Sequence, residues 1–555
     1  MSYTIIDGYP STSGDNYPLN TSSIIRGAAQ TYPEVEIVSR KADGTVFRYN
    51  YGEAYKRIQK LANALKRLGV KPGDRIGVME WNTYRHFELY LAISGIGAVV
   101  LQMNLRLSTI DLSYVVNHSK ARFVFVGDTL LPLIEDIADK IETVEGFVVL
   151  TDQNIDDIKT SLPTVKSYEA LLEKEVDEFE WPMINENSAY SACYTSGTTG
   201  KPKGVYYSHR CIYVHTMMMT YSLRLGLTDT IMQTVPMFHG QGWGLWLCAP
   251  LVGAKLVFTG RYTMETTDML VDLMISEKVT FSNGAPAIFM PMLEYIRTLP
   301  EKPNFNGLRL LSGATEPPLS MMRGYWDLGK AEVVHAYGAT ETTPIVLMNR
   351  FKPTIKGWTK EQEWKNQSKQ GLPVVGLDLK IIGADGNPVP KDGETVGEIL
   401  IRGPWITASY HDDPRSSDCF DENGYWKSGD AGTVDERGYV KITDRFKDVI
   451  KSGGEWISSI DLENAIMSHE AVLEACVIGL THPKWQERPL AIVVLREMSK
   501  GKVSKEDILF SLGERFAKWQ LPDDIVFVDA LPKTSVGKFD KKSAREQYKG
   551  FYSEE

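Results

Sequence analysis

Alternating helix and strand patterns most constrain how this chain can fold. From residue 51 the apolar positions first recur with a helical period and then form a short apolar run, and this pair repeats to about residue 150. The same alternation returns between residues 230 and 335. Such alternation is typical of a mostly parallel sheet covered by helices. We therefore expect two α/β subdomains of similar size.

The sequence pattern changes in the C-terminal third of the chain. From residue 371 short apolar runs are separated by Gly, Pro and Asp turns, which predicts a β-rich unit of distorted-barrel type. After Asp444 helical and strand patterns alternate again over a shorter length, which predicts a compact α+β domain. We predict an α/β protein with a large N-terminal domain, residues 1–444, and a small C-terminal domain, residues 445–555.

A glycine-rich stretch separates the two predicted α/β subdomains. Residues 194–204 read YTSGTTGKPKG and combine three glycines, four hydroxyl side chains and two lysines. Glycines let backbone N–H groups converge on an anion, hydroxyls add donors and lysines add charge. We interpret the stretch as a polyphosphate-binding loop between a strand and a helix, the alternative being a flexible surface loop. It is not a Walker A motif, because Pro202 follows Lys201 and leaves the metal without a hydroxyl ligand there.

Charge and cysteine usage narrow the class of protein. The net charge of −10 and the lack of a basic run with interleaved aromatics argue against a nucleic-acid partner. The five cysteines have neither zinc nor disulfide spacing, which fits a reducing cytoplasm. Cys193, beside the glycine-rich loop, is interpreted as a small buried strand residue, with a nucleophile as the alternative.

Neither a secretory signal nor a membrane span is predicted. The N-terminus lacks a basic segment followed by an apolar one. The uncharged stretches 89–105 and 230–254 contain glycines and polar residues, and the second also contains prolines, so we interpret both as buried helix–strand units. We therefore expect a cytoplasmic protein.

Several motifs occur in addition to the loop. They are PMFHGQGW from Pro236, YGATET from Tyr337, WKSGD from Trp426, KSGGEWISSIDLEN from Lys451 and PKTSVGKFDKK from Pro532. Together and in this order they resemble the adenylate-forming superfamily of acyl-CoA synthetases, adenylation domains and luciferases. The resemblance spans nearly the whole chain, and HPKWQERPLA and FAKWQLPDD make it similar to the medium- and long-chain fatty acyl-CoA synthetase branch.

The resemblance implies a nucleotide site built from several motifs. The loop would grip the β- and γ-phosphates, and YGATET would contact adenine, the α-phosphate and Mg²⁺, with Thr195 and Glu341 as metal ligands. The residues assigned to ATP or coenzyme A are Thr195, Ser196, Gly197, Thr198, Thr199, Gly200, Lys201, Gly313, Ala314, Ala336, Tyr337, Gly338, Thr340, Glu341, Asp430, Arg445, Lys451 and Trp456. The alternatives are a helix-start turn for YGATET, a plain turn at Asp430 and a surface ion pair for Arg445.

The resemblance also implies the reacting groups. Those assigned to catalysis are Lys538, His239, Thr195 and Glu341, and those assigned to the acyl substrate are His239, Trp243, Gly284, Gly313 and Gly338. Gly338 would leave room for a long acyl chain, and Trp243 would gate the acyl tunnel. Lys447 would be the hinge of a mobile C-terminal domain. The alternatives are core positions for His239 and Trp243 and a solvated lysine for Lys538, among Lys533, Lys541 and Lys542.

The predicted activity is that of an AMP-forming acyl-CoA synthetase, an acid–thiol ligase. It would convert a medium- or long-chain fatty acid, ATP and coenzyme A to acyl-CoA, AMP and pyrophosphate through an acyl-adenylate. The alternatives are a short hydroxy acid such as 4-hydroxybutyrate, an aryl acid, transfer to a carrier protein, a luciferase-like oxidation, or a binding protein without turnover. The expected partners are these small molecules, with a homodimer as a further expectation by analogy.

Overall fold

The structure of the chain is a computed structural model. It describes residues 6–13, 17–195, 201–383, 385–445, 448–452, 455–513, 516–532 and 539–552. The chain forms two compact units. Unit 1 comprises Met1–Asp378 with Arg402–Trp426, and unit 2 comprises Leu379–Ile401 with Lys427–Glu555.

The strands and helices of unit 1 follow each other in the predicted alternation. The strands are β1 (Glu36–Arg40), β2 (Val46–Asn50), β3 (Arg75–Met79), β4 (Val99–Gln102), β5 (Ala121–Gly127), β6 (Gly146–Leu150), β7 (Val165–Ser167), β8 (Ala189–Tyr194), β9 (Gly204–Ser208), β10 (Thr230–Gln233), β11 (Lys255–Phe258), β12 (Phe281–Gly284), β13 (Arg309–Ser312), β14 (Glu332–Gly338), β15 (Ile345–Met348) and β16 (Leu372–Pro373). The helices are α1 (Ser22–Thr31), α2 (Tyr51–Arg67), α3 (Tyr84–Gly95), α4 (Thr109–Ser119), α5 (Leu131–Glu135), α6 (Tyr168–Glu173), α7 (His209–Leu223), α8 (Leu245–Val252), α9 (Asp268–Ser276), α10 (Pro286–Thr298), α11 (Leu319–Asp327) and α12 (Lys360–Gln367).

Helix α2 shows how the sequence dictates these elements. Asn50 accepts a hydrogen bond from the backbone N–H of Glu53, whose side chain reaches back to the N–H of Asn50 in a capping box. Ile58, Leu61 and Leu65 then recur at helical spacing and are fully buried. The amphipathic helix predicted from residue 51 is therefore confirmed.

Two sheets organise the described part of unit 1. The first has the strand order β7-β6-β5-β3-β4-β8-β9, and the second has the order β16-β15-β14-β13-β12-β10-β11-β1-β2. Neighbours from β7 to β8 run parallel, as do those from β14 to β1, and antiparallel pairs occur only toward the edges. The predicted α/β class with mostly parallel sheets is confirmed.

One pairing was not predicted, and one detail of the predicted order is wrong. Strands β1 and β2 form a hairpin at the edge of the second sheet, where β1 pairs with β11. The glycine-rich loop was expected between a strand and a helix, but it connects the antiparallel strands β8 and β9, and α7 begins only at His209. Both differences arise from strand pairings that local periodicity does not encode.

Unit 2 is built on two further sheets. Its strands are β17 (Asp378–Ile382), β18 (Gly397–Arg402), β19 (Trp426–Val434), β20 (Val440–Arg445), β21 (Ile450–Ser452), β22 (Glu455–Ile457), β23 (Val472–His482), β24 (Gln486–Leu495) and β25 (Asp524–Phe527), and its helices are α13 (Ser459–Met467), α14 (Lys505–Leu512) and α15 (Lys541–Gln547). One sheet has the order β17-β18-β19-β20, and the other has β22-β21-β24-β23 with β25 beside β24. The predicted small C-terminal α+β arrangement is confirmed, with β24 an additional long strand.

Lys541 of unit 2 is more buried than the sequence analysis predicts, and it makes ion pairs. Lys541, placed in sequence among solvated lysines, has a side chain only 13% exposed and pairs with Glu463 at 2.8 Å. Its ammonium also lies 4.0 Å from the Asp444 carboxylate. Lys541 therefore ties α15 to α13 and β20, and it is not a solvated side chain.

Membrane-spanning helices are absent from the described residues, since none of these residues forms a helix that is both long enough and apolar enough to cross a bilayer.

Candidate nucleotide and acyl site

The two ends of the glycine-rich loop are held together. The N–H of Thr195 donates to the carbonyl of Lys203 at 2.9 Å, and the N–H of Lys203 donates to Oγ1 of Thr195 at 3.3 Å. These bonds continue the pairing of Tyr194 with Gly204 in the β8–β9 hairpin. Thr195 and Lys201 are thus placed at the rim of the loop, while the predicted phosphate contacts at 196–200 lie outside the described residues.

The YGATET segment follows strand β14 and is fixed from two sides. Tyr207 of β9 donates its hydroxyl hydrogen bond to the carbonyl of Thr340 at 2.7 Å. Tyr410 donates to Oε1 of Glu341 at 2.7 Å, and the N–H of Thr407 donates to the Glu341 carbonyl at 2.8 Å. The β8–β9 hairpin and the YGATET segment are therefore connected through Tyr207, and the Glu341 carboxylate is held by the segment that contains Tyr410.

The donor set around Glu341 suits a magnesium ion carried with a nucleotide. Among the described residues, no group of three or more His, Cys, Asp or Glu side chains could hold a metal alone. Mg²⁺ commonly takes one or two protein oxygens and completes its shell with phosphate oxygens and water. The hard oxygens of Glu341 and Thr195 fit this pattern, so both residues would hold the ion together with substrate phosphates.

Parallel strands of the second sheet bring the predicted pocket glycines together. Gly284 ends β12, and Gly313 directly follows β13, with the Gly313 N–H donating to the Gly284 carbonyl at 3.3 Å. A Cβ built on Gly313 would lie 2.9 Å from the carbonyl of Ala336 in β14 and 3.0 Å from the Trp243 ring. Carboxyl ends of parallel strands form the usual ligand-binding edge of such sheets. Gly284, Gly313, Ala336 and Trp243 therefore lie at one edge.

Trp243 lies in a left-handed turn that the sequence did not predict. Residues 240–244 all have positive φ, including the non-glycine residues Gln241 at 55° and Trp243 at 63°. Such backbone costs roughly 1–2 kcal/mol for each non-glycine residue and is found mainly at functional sites. The GQGWG spacing of glycines was the available signal. The turn is held by Gln102 of the first sheet, whose Oε1 accepts from the Gln241 N–H at 3.1 Å.

His239 directly precedes this turn in sequence, and Cys193 lies beside Gly240 of the turn in space. His239 is partly buried, and its N–H donates to the carbonyl of Pro236 at 3.1 Å. Cys193 is buried on β8, and burial raises the pKa of its thiol to about 11. A thiol of that pKa is a poor nucleophile near neutral pH, which supports the interpretation of Cys193 as a structural residue.

Gly338 has a tighter environment than its predicted role requires. A Cβ built there would overlap the backbone carbonyl of Pro344 and would lie 3.0 Å from Cα of Ile345. The close approach of two backbone segments therefore accounts for the glycine. Ala314, which follows Gly313, has a φ of 70° and occupies the left-handed region. Both positions shape the backbone around the nucleotide motif.

We predict that Gly338→Ala damages the site regardless of acyl chain length. The added methyl forces β14 away from Pro344 and displaces the neighbouring Tyr337 and Thr340. Thermal unfolding and ATP–pyrophosphate exchange with short, medium and long fatty acids measure the effect, and we expect a lower melting temperature with a similar fractional loss for each acid. A loss restricted to long acids would instead assign Gly338 to the acyl tunnel.

The described site residues predicted in unit 2 lie in two antiparallel strand pairs. Asp430 and Arg445 face each other across β19 and β20, and an Arg445 guanidinium nitrogen lies 3.0 Å from the Asp430 carboxylate. Asp430 is largely buried whereas Arg445 is 52% exposed. Lys451 pairs in register with Trp456 across β21 and β22. Lys447 and Lys538 lie outside the described residues.

Three contacts of this site were missed from the sequence. Gln102, Tyr207 and Tyr410 each bond to a residue that the motifs identified, but none of the three belongs to a motif. Tyr410 is 6% exposed and Tyr207 is 3% exposed. A buried tyrosine needs a partner for its hydroxyl, and here that need is met by the backbone or carboxylate of the YGATET segment.

Comparison with known proteins places the chain in a family. The AMP-binding enzyme family matches residues 25–411, and the AMP-binding enzyme C-terminal domain matches residues 461–538. A long-chain-fatty-acid–CoA ligase of Thermus thermophilus is 39% identical over 99% of this chain and 98% of its own length. A 3-methylmercaptopropionyl-CoA ligase of Ruegeria lacuscaerulensis is 39% identical over 96% of this chain and 98% of its own.

Solved structures show the same fold. An anthranilate CoA ligase in complex with anthranoyl-AMP superposes with a TM-score of 0.82 over 97% of this chain and 99% of the other, at 23% identity. The match of the family over most of the chain, in the order in which the motifs occur, settles the assignment: the chain belongs to the AMP-binding enzyme family.

Proposed function

We propose that the chain is an AMP-forming acyl-CoA ligase acting on medium- or long-chain fatty acids. The observation that carries the proposal is the 39% identity, over nearly both full lengths, to a long-chain-fatty-acid–CoA ligase. A medium-chain-fatty-acid–CoA ligase of Ectopseudomonas oleovorans is 37% identical over 95% of each chain. The site geometry supports it, because the glycine-rich loop, the YGATET motif and the Trp243 turn belong to the same unit.

The first step would join the acid to AMP. A carboxylate oxygen attacks the α-phosphorus of ATP, the bond to the β-phosphate oxygen breaks, and pyrophosphate leaves. The 195–203 loop holds the leaving phosphates, while Thr340 orients the α-phosphate and Tyr337 the adenine. Mg²⁺ bound at Glu341 and Thr195 would neutralise phosphate charge. Lys538 would bridge the two anionic reactants, a form of electrostatic stabilisation that is worth most in a dry site.

The second step would transfer the acyl group. The thiolate of coenzyme A attacks the acyl carbon, and the bond to the AMP oxygen breaks, which releases AMP. We propose that residues 445–555 move about Lys447 between the two steps, withdrawing Lys538 and presenting Lys451 and Trp456 to the thiol. Asp430 would bind the ribose hydroxyls, with Arg445 at the ribose or phosphate. We also propose action in the cytoplasm, with a homodimer as the assembly.

A short thioether acid is the second candidate substrate. It is favoured by the relative named 3-methylmercaptopropionyl-CoA ligase, which is as similar in identity as the long-chain ligase. The Trp243 ring, which would lie 3.0 Å from a Cβ built on Gly313, would limit how deep an acyl chain can enter and so would discriminate between the two. His239 would lie beside the reacting carboxylate in either case.

A substrate panel tests the proposed function. Saturated acids from four to eighteen carbons, 3-methylmercaptopropionate, 4-hydroxybutyrate and benzoate are compared by kcat/KM, with acyl-CoA measured by chromatography. We expect the highest values for acids with medium or long chains, because each buried methylene contributes ~0.8 kcal/mol of binding. Preference for 3-methylmercaptopropionate would select the second candidate. Exchange without acyl-CoA formation would indicate transfer to another acceptor, and no exchange with any acid would reject ligase activity.

A further inference from the structure

One segment of unit 1, residues 405–419, contacts both nucleotide motifs. Toward the Glu341 motif, the N–H of Thr407 donates to the Glu341 carbonyl at 2.8 Å, and the Thr343 hydroxyl donates to the Trp405 carbonyl at 2.6 Å. None of the sequence motifs assigned to nucleotide binding includes this segment. These two hydrogen bonds with residues 405–407 hold Glu341 and Thr343 in place.

The same segment contacts the far end of the glycine-rich loop. The His411 N–H donates to the carbonyl of Gly204 at 2.9 Å, and the Arg415 guanidinium donates to the carbonyl of Lys201 at 3.3 Å. The Lys203 ammonium lies 3.2 Å from Sγ of Cys419. The 405–419 segment therefore bridges the loop and the YGATET motif.

Tyr410 is the residue of this segment that touches charged groups of both motifs. Its hydroxyl donates to Oε1 of Glu341 at 2.7 Å, and its ring lies 4.4 Å from the Lys203 ammonium in cation–π geometry. The hydroxyl in turn accepts a hydrogen bond from Nε1–H of Trp426 at 3.1 Å. The Tyr410 side chain therefore restrains both the Glu341 carboxylate and the Lys203 ammonium.

The hydrogen bond from the Tyr410 hydroxyl is made to a charged acceptor, the Glu341 carboxylate. Hydrogen bonds to charged groups are shorter and stronger than those between neutral groups, so losing this bond should have a measurable effect.

We propose that Tyr410 is a positioning residue for adenylation, holding the Glu341 carboxylate and the Lys203 ammonium in place for Mg-ATP. The inference rests on the proposed function, since it takes Glu341 as the magnesium ligand. A carboxylate held in place before the nucleotide arrives loses less side-chain entropy when the ion binds. Without the hydroxyl, the ion must order the carboxylate itself, and binding weakens.

The test compares Tyr410→Phe with Trp426→Phe. Tyr410→Phe removes the hydroxyl, and with it both the bond to Glu341 and the bond from Trp426, but it keeps the ring against Lys203. Trp426→Phe removes only the bond from Trp426, so the difference between the two variants reports the bond to Glu341. Binding of Mn²⁺ in the presence of a non-hydrolysable ATP analogue is followed by the electron paramagnetic resonance signal of the free ion. We expect about tenfold weaker Mn²⁺ binding in Tyr410→Phe and a change of less than about twofold in Trp426→Phe.

Activity gives a second readout that a purely structural defect would not produce. In ATP–pyrophosphate exchange, Tyr410→Phe should need about tenfold more Mg²⁺ for half-saturation yet recover most of its kcat at saturating Mg²⁺. Equal shifts in the two variants, or unchanged Mn²⁺ binding in Tyr410→Phe, would overturn the inference. Absence of exchange in the wild type would reject the proposed function alone, because the Mn²⁺ titration requires only nucleotide binding.

Discussion

Replacing Lys538 with alanine should lower acyl-adenylate formation by about 10²–10³-fold while thioester formation from preformed acyl-AMP changes by less than about threefold. The reason is electrostatic. In the first step a carboxylate approaches a triphosphate, and the charge that develops around the α-phosphate needs a cation at that point. In the second step the reacting partners are a thiolate and a mixed anhydride, and under the proposed domain movement Lys538 would have left the site and would contribute little.

The two half-reactions can be measured separately. ATP–pyrophosphate exchange reports the first, and chromatography of acyl-CoA formed from synthetic acyl-AMP and coenzyme A reports the second. Lys542→Ala is the matched control, because Lys542 is an exposed lysine four residues away and should leave both rates unchanged. If Lys538→Ala slowed both half-reactions equally, a movement of residues 445–555 between the steps would not explain the result.

The motifs predicted the parts of the site that are contiguous in sequence. Thr195 and Glu341 could be singled out as candidates because glycine, hydroxyl and carboxylate residues at short spacing have few structural uses besides binding phosphate and metal. Tyr410 could not be found, since it lies 69 residues from Glu341 and stands in a polar stretch with no periodicity. Its role depends on a long-range contact that only the folded chain creates.

Local patterns also do not reveal where two backbone segments approach closely. At Gly338, which we interpret as leaving space for substrate, the carbonyl of Pro344 lies where a side chain would begin. The hairpin of β1 and β2 was not predicted because its partner, β11, lies more than 200 residues away, as the register of Ile37 with Leu256 shows. Helix and strand types were predictable from periodicity, but pairing and close backbone contact were not.

Acid should destabilise unit 1 steeply below about pH 6, because four buried histidines are held neutral in the fold. His86, His209, His215 and His335 are at most 2% exposed. Burial lowers the pKa of His86, His209 and His335 to about 4 and that of His215 to about 3. For His86, His209 and His215, Nε2 has no hydrogen-bond partner among the described residues. A proton added there would put an unpaired charge in the core.

The sign follows from proton binding. An unfolded histidine has a pKa of about 6.5. Between that pH and about 4 the unfolded chain therefore binds more protons than the folded chain, and the free energy of unfolding decreases as the pH is lowered. At the acid end of this pH range, each such histidine lowers the free energy of unfolding by up to about 3 kcal/mol. The four together approach the 5–15 kcal/mol that is the total stability of a typical protein. The stabilisation is fully present above about pH 6.5.

Thermal unfolding midpoints, measured from about pH 7.5 down to about pH 4.5, test this expectation. His215→Leu should flatten the fall of the midpoint in acid (the acid limb), because it removes a titrating group of similar size whose Nε2 has no hydrogen-bond partner in the described part of the chain. His482→Leu, in unit 2, is the control and should leave the limb unchanged. A wild-type midpoint that stays constant to pH 4.5, or an acid limb identical in His215→Leu, would show that these histidines do not govern acid stability.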